Sequence, residues 1–176
     1  PGTADHIYAV AEDDAGNLQS SPVKVDFTTA TPMELVFDTT LSPGTTIELP
    51  LFNAVDVTVN WGDGNTEEFT TEGKKSHTYD TEGTYTVTIS GSLSKFGNND
   101  RPYTGVDKLT KVTDFGDLDL YSLYGAFNGA ENLSEVPANL PPTVTDLSGA
   151  FINTSASTFT NLAKWDVSNV KVMSGM

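Results

Sequence analysis

The sequence predicts a mainly β chain, a sandwich followed by a solenoid segment, and three observations carry that expectation. The first is a strand of period two. In Asp56-Val-Thr-Val-Asn-Trp-Gly-Asp-Gly-Asn65, Val57, Val59 and Trp61 alternate with Thr58 and Asn60, so one face is apolar and the other polar. The second is a matching run, Tyr85, Val87 and Ile89 against Thr84, Thr86 and Thr88, which offers a second apolar face to meet Trp61. The third is a long period: Gly125, Gly149 and Gly175 recur at intervals of 24 and 26, the spacing of a solenoid whose units bury their apolar edges against one another.

Taken in order, residues 1–31 hold two short β-type runs, Ile7-Tyr-Ala-Val10 and Val23-Lys-Val-Asp-Phe27, separated by Glu12-Asp-Asp-Ala-Gly-Asn17 and Ser20-Ser-Pro22. Two strands are too few to bury a core, so they read as the final hairpin of a domain whose start is missing. The joint Thr28-Thr-Ala-Thr31 leads into residues 32–92. There, Met33–Phe37 and Thr46–Leu51 flank the turn Leu41-Ser-Pro-Gly44, and the Val57 strand follows Phe52-Asn-Ala. Gly62-Asp63-Gly64 has the composition of a tight turn; Thr66–Thr70, the His77 strand and the Tyr85 strand come after it. Short strands at this spacing are the signature of a sandwich. Residues 93–108 read as a linker. From 109 to 176, Leu120–Phe127, Val144–Phe151 and Val170–Met176 align, each preceded by an apolar pair: Leu109 with Val112, Leu133 with Val136, Leu162 with Trp165.

The motif V-x-V-x-W-G-D-G followed by H-x-Y-x-x-x-G-x-Y-x-V-x-I, from Val57 to Ile89, resembles the polycystic-kidney-disease-type (PKD) domain, an immunoglobulin-like β-sandwich of secreted and cell-surface proteins. The run Y-A-V-A-E-D-D-A-G-N-L-x-S-S-P-V-K-V-D-F from Tyr8 to Phe27 resembles the last hairpin of bacterial immunoglobulin-like or fibronectin-like repeats. Leu162-Ala-Lys-Trp-Asp-Val-Ser-Asn-Val-Lys-Val-Met-Ser-Gly-Met176 resembles the W-D-V-S-x-V-x-x-M-x-x-M-F repeat of BspA-like leucine-rich surface proteins, a bacterial and protist family implicated in adhesion. The earlier units depart from that pattern, with Pro137 and Pro141-Pro142 in place of the W-D-V-S core. These resemblances imply the C-terminal hairpin of a truncated immunoglobulin-like domain over 1–31, a PKD-like sandwich over 32–92, and the truncated start of a leucine-rich array over 109–176.

Composition narrows the partners. At 176 residues and 37% hydrophobic the chain can build real cores. Its net charge of −15 repels phosphate backbones, so nucleic acid is not an expected partner. The absence of cysteine removes disulfides, thiolate metal sites and thiol nucleophiles together. No apolar run approaches the roughly 20 residues that span a bilayer, so no membrane insertion is expected within these residues. Pro1 follows no signal pattern, the expectation for a processed piece of a longer secreted chain.

Candidate chemistry is sparse. His6 and His77 are the only histidines, and neither has serine and acid partners at a recognisable spacing. Asp63 belongs to turn geometry through Asx-type hydrogen bonding. The acidic sets Glu12-Asp13-Asp14 with Asn17, and Asp114 with Asp117 and Asp119, suggest calcium but lack EF-hand order and read as solvated loops. With no phosphate loop and no zinc helix, no catalytic, cofactor-binding or metal residue is assigned. Phe127 and Phe151 hold a recurring position and belong to the core. Tyr121 and Tyr124 do not recur as tyrosines and are contact candidates. The function expected is therefore non-enzymatic adhesion at a cell surface, to a protein or carbohydrate ligand on a host or neighbouring cell. The alternative is an accessory, non-catalytic region of a secreted hydrolase, since PKD-like domains also flank catalytic domains.

Overall fold

The computed structural model describes residues 4–9, 15–17, 23–28, 30–99, 101–155 and 159–176. These are mainly β, with no α-helix among them, and they divide into two compact units, Pro1–Thr31 and Pro32–Met176. In the first unit, strands β1 (Ala4–Ala9) and β2 (Val23–Thr28) pair antiparallel, Ala4 opposite Thr28 and Ala9 opposite Val23. Val10, the Glu12-Asp13-Asp14 cluster and the Ser20-Ser-Pro22 turn lie outside the described residues.

The second unit contains β3 (Met33–Asp38), β4 (Thr46–Asn60), β5 (Thr66–Phe69), β6 (Gly73–Thr78), β7 (Thr84–Phe96) and β8 (Leu109–Phe115). They form an antiparallel sheet in the order β5-β4-β7-β3-β8, with β6 also pairing β4. The alternation read from the sequence is the burial pattern: Val57, Val59 and Trp61 are buried, as are Val87 and Ile89, with Tyr85 half-buried against them. Val59 pairs with Ile89 and Asn60 with Thr88, so the two apolar faces do converge near Trp61. The Leu41-Ser-Pro-Gly44 connection does not make a hairpin. Strand β3 lies between β7 and β8 instead, Leu35 opposite Val87 on one side and Val112 on the other.

The shape of the sheet follows from one bend. Strands β5 and β6 run successively along β4, Asn60 opposite Thr66 at one end and Thr46 opposite Thr78 at the other. A straight strand would hold Ile47 and Trp61 about 45 Å apart. Yet His77, opposite Ile47, stacks on Trp61 with ring centroids 4.7 Å apart. The long hairpin is therefore folded over on itself. The fold lies at Phe52–Val55, where the pairing with β7 slips by one residue and Asn53 takes φ 65°, a bulge that bends its strand. The folded hairpin and the β7-β3-β8 part of the sheet enclose one core, an arrangement consistent with a β-sandwich.

The described residues of 93–108 are packed chain rather than a linker. β7 runs on through Leu93 to Phe96, both buried, and Tyr103 and Val106 join the same core. Strand β8, placed by the sequence at the start of the repeats, lies in the antiparallel sheet beside β3. Its apolar residues Leu109, Val112 and Phe115 have an interior to face there.

Beyond β8 the pairing changes in kind. Single parallel bridges join Lys95 to Ser122, Ser122 to Asp146 and Asp146 to Val172, and a second column joins Lys111, Glu135 and Thr160. Residues 121–129 lie along 145–152, with the N–H groups of Leu123, Gly125, Phe127 and Gly129 donating to Asp146, Ser148, Ala150 and Ile152, each at 2.9 Å. Phe127 is fully buried and its ring centroid lies 5.4 Å from that of Phe151. Asparagines tie neighbouring turns together as well. Asn132, Asn161 and Asn169 each donate from Nδ2 to a backbone oxygen 25 to 27 residues earlier, on Asp107, Val136 and Pro142.

Candidate functional site

Three places gather polar groups, and the first is the tip of the folded hairpin. The Asn65 N–H donates to Asp63 Oδ1 and Asn65 Nδ2 to Asp63 Oδ2, both at 3.0 Å, and His77 Nε2 lies 2.7 Å from Asp63 Oδ2. Partial burial works to raise the Asp63 carboxyl, but the hydrogen bonds from Asn65 and His77 outweigh it and hold the group at about 2. The His77 ring is stacked on Trp61 and meets Tyr79 edge-on. Trp61 Nε1 donates to Glu67 Oε2 at 2.7 Å, and the Tyr79 hydroxyl donates to Trp61 O at 2.8 Å. Burial pushes the Tyr79 hydroxyl above its ordinary range, so it stays a donor. These contacts clamp the two ends of the hairpin, which is structural work. The turn geometry expected of Asp63 is present, and His77, expected as an edge or packing residue, is half-buried in the clamp.

The second place is the acidic loop after β8. Asp114 Oδ1 accepts the Gly116 N–H at 2.8 Å, and Asp119 has φ 63°, so these residues shape the turn. Among the described residues no group of three or more His, Asp or Glu is placed to hold a metal ion. His6 lies on β1, opposite Asp26, in the other unit.

The third place is a ledge where the bend of β4 meets the parallel bridges. Tyr121 is 43% exposed, and its hydroxyl oxygen accepts a hydrogen bond from Asn53 Nδ2. The Asn53 N–H in turn donates to Glu72 Oε2 at 2.9 Å. Beside them Lys95 Nζ lies 5.1 Å from the centroid of Tyr124 and 6.0 Å from that of Phe52, between cation and ring face, and it donates to Asn99 Oδ1. Partial burial lowers the Lys95 ammonium, opposed by the nearby carboxylates of Asp146 and Glu72. Backbone bonds continue the ledge along the chain: Tyr121 N–H to Ser94 O at 3.0 Å, Thr145 N–H to Tyr121 O at 2.9 Å, and Lys171 N–H to Thr145 O at 2.7 Å.

Tyr121 and Tyr124, the contact candidates, therefore sit on one surface, while Phe127 and Phe151, expected in the core, lie in the interior. Asn53, Glu72 and Lys95 were missed. Only Asn53 had a local signal: an asparagine that interrupts two apolar alternations marks a left-handed bulge. No protein-family model matches this chain, and no curated protein or solved structure matches it either.

Proposed function

We propose that the chain is a non-enzymatic binding segment of an extracellular, cell-surface adhesion protein. In this reading the immunoglobulin-like, PKD-type sandwich is a spacer, and a BspA-like leucine-rich solenoid, beginning near β8, is the recognition surface. The ligand is a protein or carbohydrate on a host or neighbouring cell. The observation that carries the reading is the in-register stacking of residues 121–129 on 145–152. It sets Tyr121, Thr145 and Lys171 side by side along the ledge, and a surface built by adding like units suits an extended ligand.

The test is attachment. Beads coated with the protein should adhere to cultured cells or to extracellular-matrix coatings above bare beads, and soluble protein should compete. No attachment to any such surface would overturn the proposal. So would hydrolysis of glycoside, peptide or ester substrates that tracked with the pure protein and vanished on changing one carboxylate.

A further inference from the structure

Resting on that reading of the ledge as the contact surface, we infer that Tyr121, with Asn53, Glu72, Lys95 and Tyr124 around it, is a binding site for neutral carbohydrate. Among the residues whose side chains are described, Tyr121 is the one aromatic exposed to this degree, at 43%. An exposed tyrosine is ordinarily free to swing. This one is tethered by Asn53 Nδ2 at its hydroxyl oxygen, and the phenolic proton is left to donate outward. The tether is itself held in place: Asn53 sits at the one-residue bulge with φ 65° and its N–H bonded to Glu72. Asparagine adopts that conformation more readily than other non-glycine residues, and a bulge re-aims the side chains beside it. The result is a fixed ring face, weakly negative at its centre, of the kind on which the C–H face of a pyranose rests.

The surrounding groups fit hydroxyls. Asn53 has its amide oxygen, Glu72 a second carboxylate oxygen and Lys95 an ammonium, so donors and acceptors both surround the ring. Lys95 is balanced by Glu72 and Asp146, and the chain as a whole carries −15, which disfavours polyanions. A protein partner fits less well. A stable interface covers about 800 Å² on each side around an apolar centre, whereas Phe52 and Tyr124 are only half-exposed here and their faces are engaged by Lys95. The ledge continues through Thr145 toward Lys171, so it favours a chain of sugars over a single one.

The experiment titrates the protein with cellohexaose, xylohexaose, mannohexaose and chitin hexasaccharide by calorimetry and amide NMR, with heparin as the anionic control. At least one neutral hexasaccharide should bind and shift the amides of residues 53, 72, 95 and 121. Tyr121→Ala should weaken that binding by about tenfold or more. Tyr121→Phe, which keeps the ring and loses the tether, should weaken it less. Asn53→Gly, which tolerates the positive φ and removes the amide, should weaken it to an intermediate degree like Tyr121→Phe, and unaltered circular dichroism would show that each variant is folded. Binding of none of the four, preference for heparin, or indifference to both Tyr121→Ala and Asn53→Gly would each overturn the inference. The attachment assay separates the two proposals: beads that adhere while no neutral glycan binds leave adhesion standing and remove this site.

Discussion

The described residues of 32–115 and 116–176 solve the same problem, burying apolar side chains without α-helices, in two different ways. In the first region strands far apart in sequence pair along their length, Met33 with Ile89 and with Phe115 for example. Ordering one strand there depends on ordering all the others. In the second region each turn meets its predecessor through one or two parallel bridges, a few N–H to O=C bonds and an asparagine reaching back one unit. Its parallel bridges span 24 to 27 residues. The difference teaches where cooperativity resides: long-range ladders tie a region into one transition, while neighbour-only contacts let a region open from an end. The two tryptophans of the chain fall one in each region, Trp61 in the first and Trp165 in the second, so each region has its own reporter.

The largest expected effect is Trp61→Ala. Trp61 is fully buried, stacked on His77 and bonded to Glu67, and removing so large a side chain should cost roughly 3–5 kcal/mol. Because the folded hairpin closes through this ring, the whole sheet should unfold at lower urea, as followed by circular dichroism. A midpoint equal to that of the parent would place Trp61 outside the core and dissolve the contrast at its strongest point.

Phe151→Ala sharpens the same comparison from the other side. Phe151 packs among Phe127, Phe159 and Trp165, and its loss should cost about 3 kcal/mol. The transition seen by Trp165, whose Nε1 donates to Pro137 O at 2.7 Å, should move to lower denaturant while that seen by Trp61 moves less. Single-tryptophan variants, Trp165→Phe and Trp61→Phe, read the two separately. Equal shifts in both would mean that the regions unfold as one body.

Glycine gives a smaller, local version. Gly125 has φ 67°, and a Cβ there would lie 1.5 Å from Asn99 O, while Gly64 at φ 96° faces open space. Gly125→Ala therefore meets both backbone strain and overpacking and should cost about 2–3 kcal/mol, whereas Gly64→Ala should cost about 1 kcal/mol through the left-handed conformation alone. Thermal unfolding of the two variants measures the gap. Equal losses would show that the contact between Gly125 and the 97–99 segment is not tight.

What the sequence disclosed, and what it hid, divides along the range of the interaction. Alternation in β4 and β7 is a local property, written in Val57, Val59, Val87 and Ile89, and the faces it marks are the buried ones. The recurrence of Gly125 and Gly149 is regular, and those residues do fall beside one another, with Gly125 N–H bonded to Ser148 O. Contacts that join dissimilar segments leave no such trace. Nothing near Lys108 shows that its ammonium is buried and donates to Ser42 O at 2.8 Å, and nothing near Tyr121 points to Asn53, 68 residues earlier. The linker expected at 93–108 was an error of the same origin. Its polar run, Gly97-Asn-Asn-Asp100, reads as solvent-exposed, but Phe96 and Tyr103 on either side supply apolar rings that the core takes up, their centroids 6.4 Å apart.

The smallest effect expected is electrostatic, and its sign follows from Asp63. The folded protein holds this carboxyl at about 2, below its ordinary 3.8, so folding favours the ionised form. The stability it contributes is fully present above about pH 4 and is lost as the pH falls through 2. The side chain is still 19% exposed, and water screens the pair with His77, so the contribution should be about 1 kcal/mol. Urea midpoints of the parent and of Asp63→Asn should differ by a constant amount between pH 5 and 7 and converge toward pH 2. A gap that instead persisted unchanged down to pH 2 would assign the effect to the shape of the turn rather than to the carboxylate, and the hydrogen bonds that Asp63 accepts from Asn65 would then hold the hairpin without its charge.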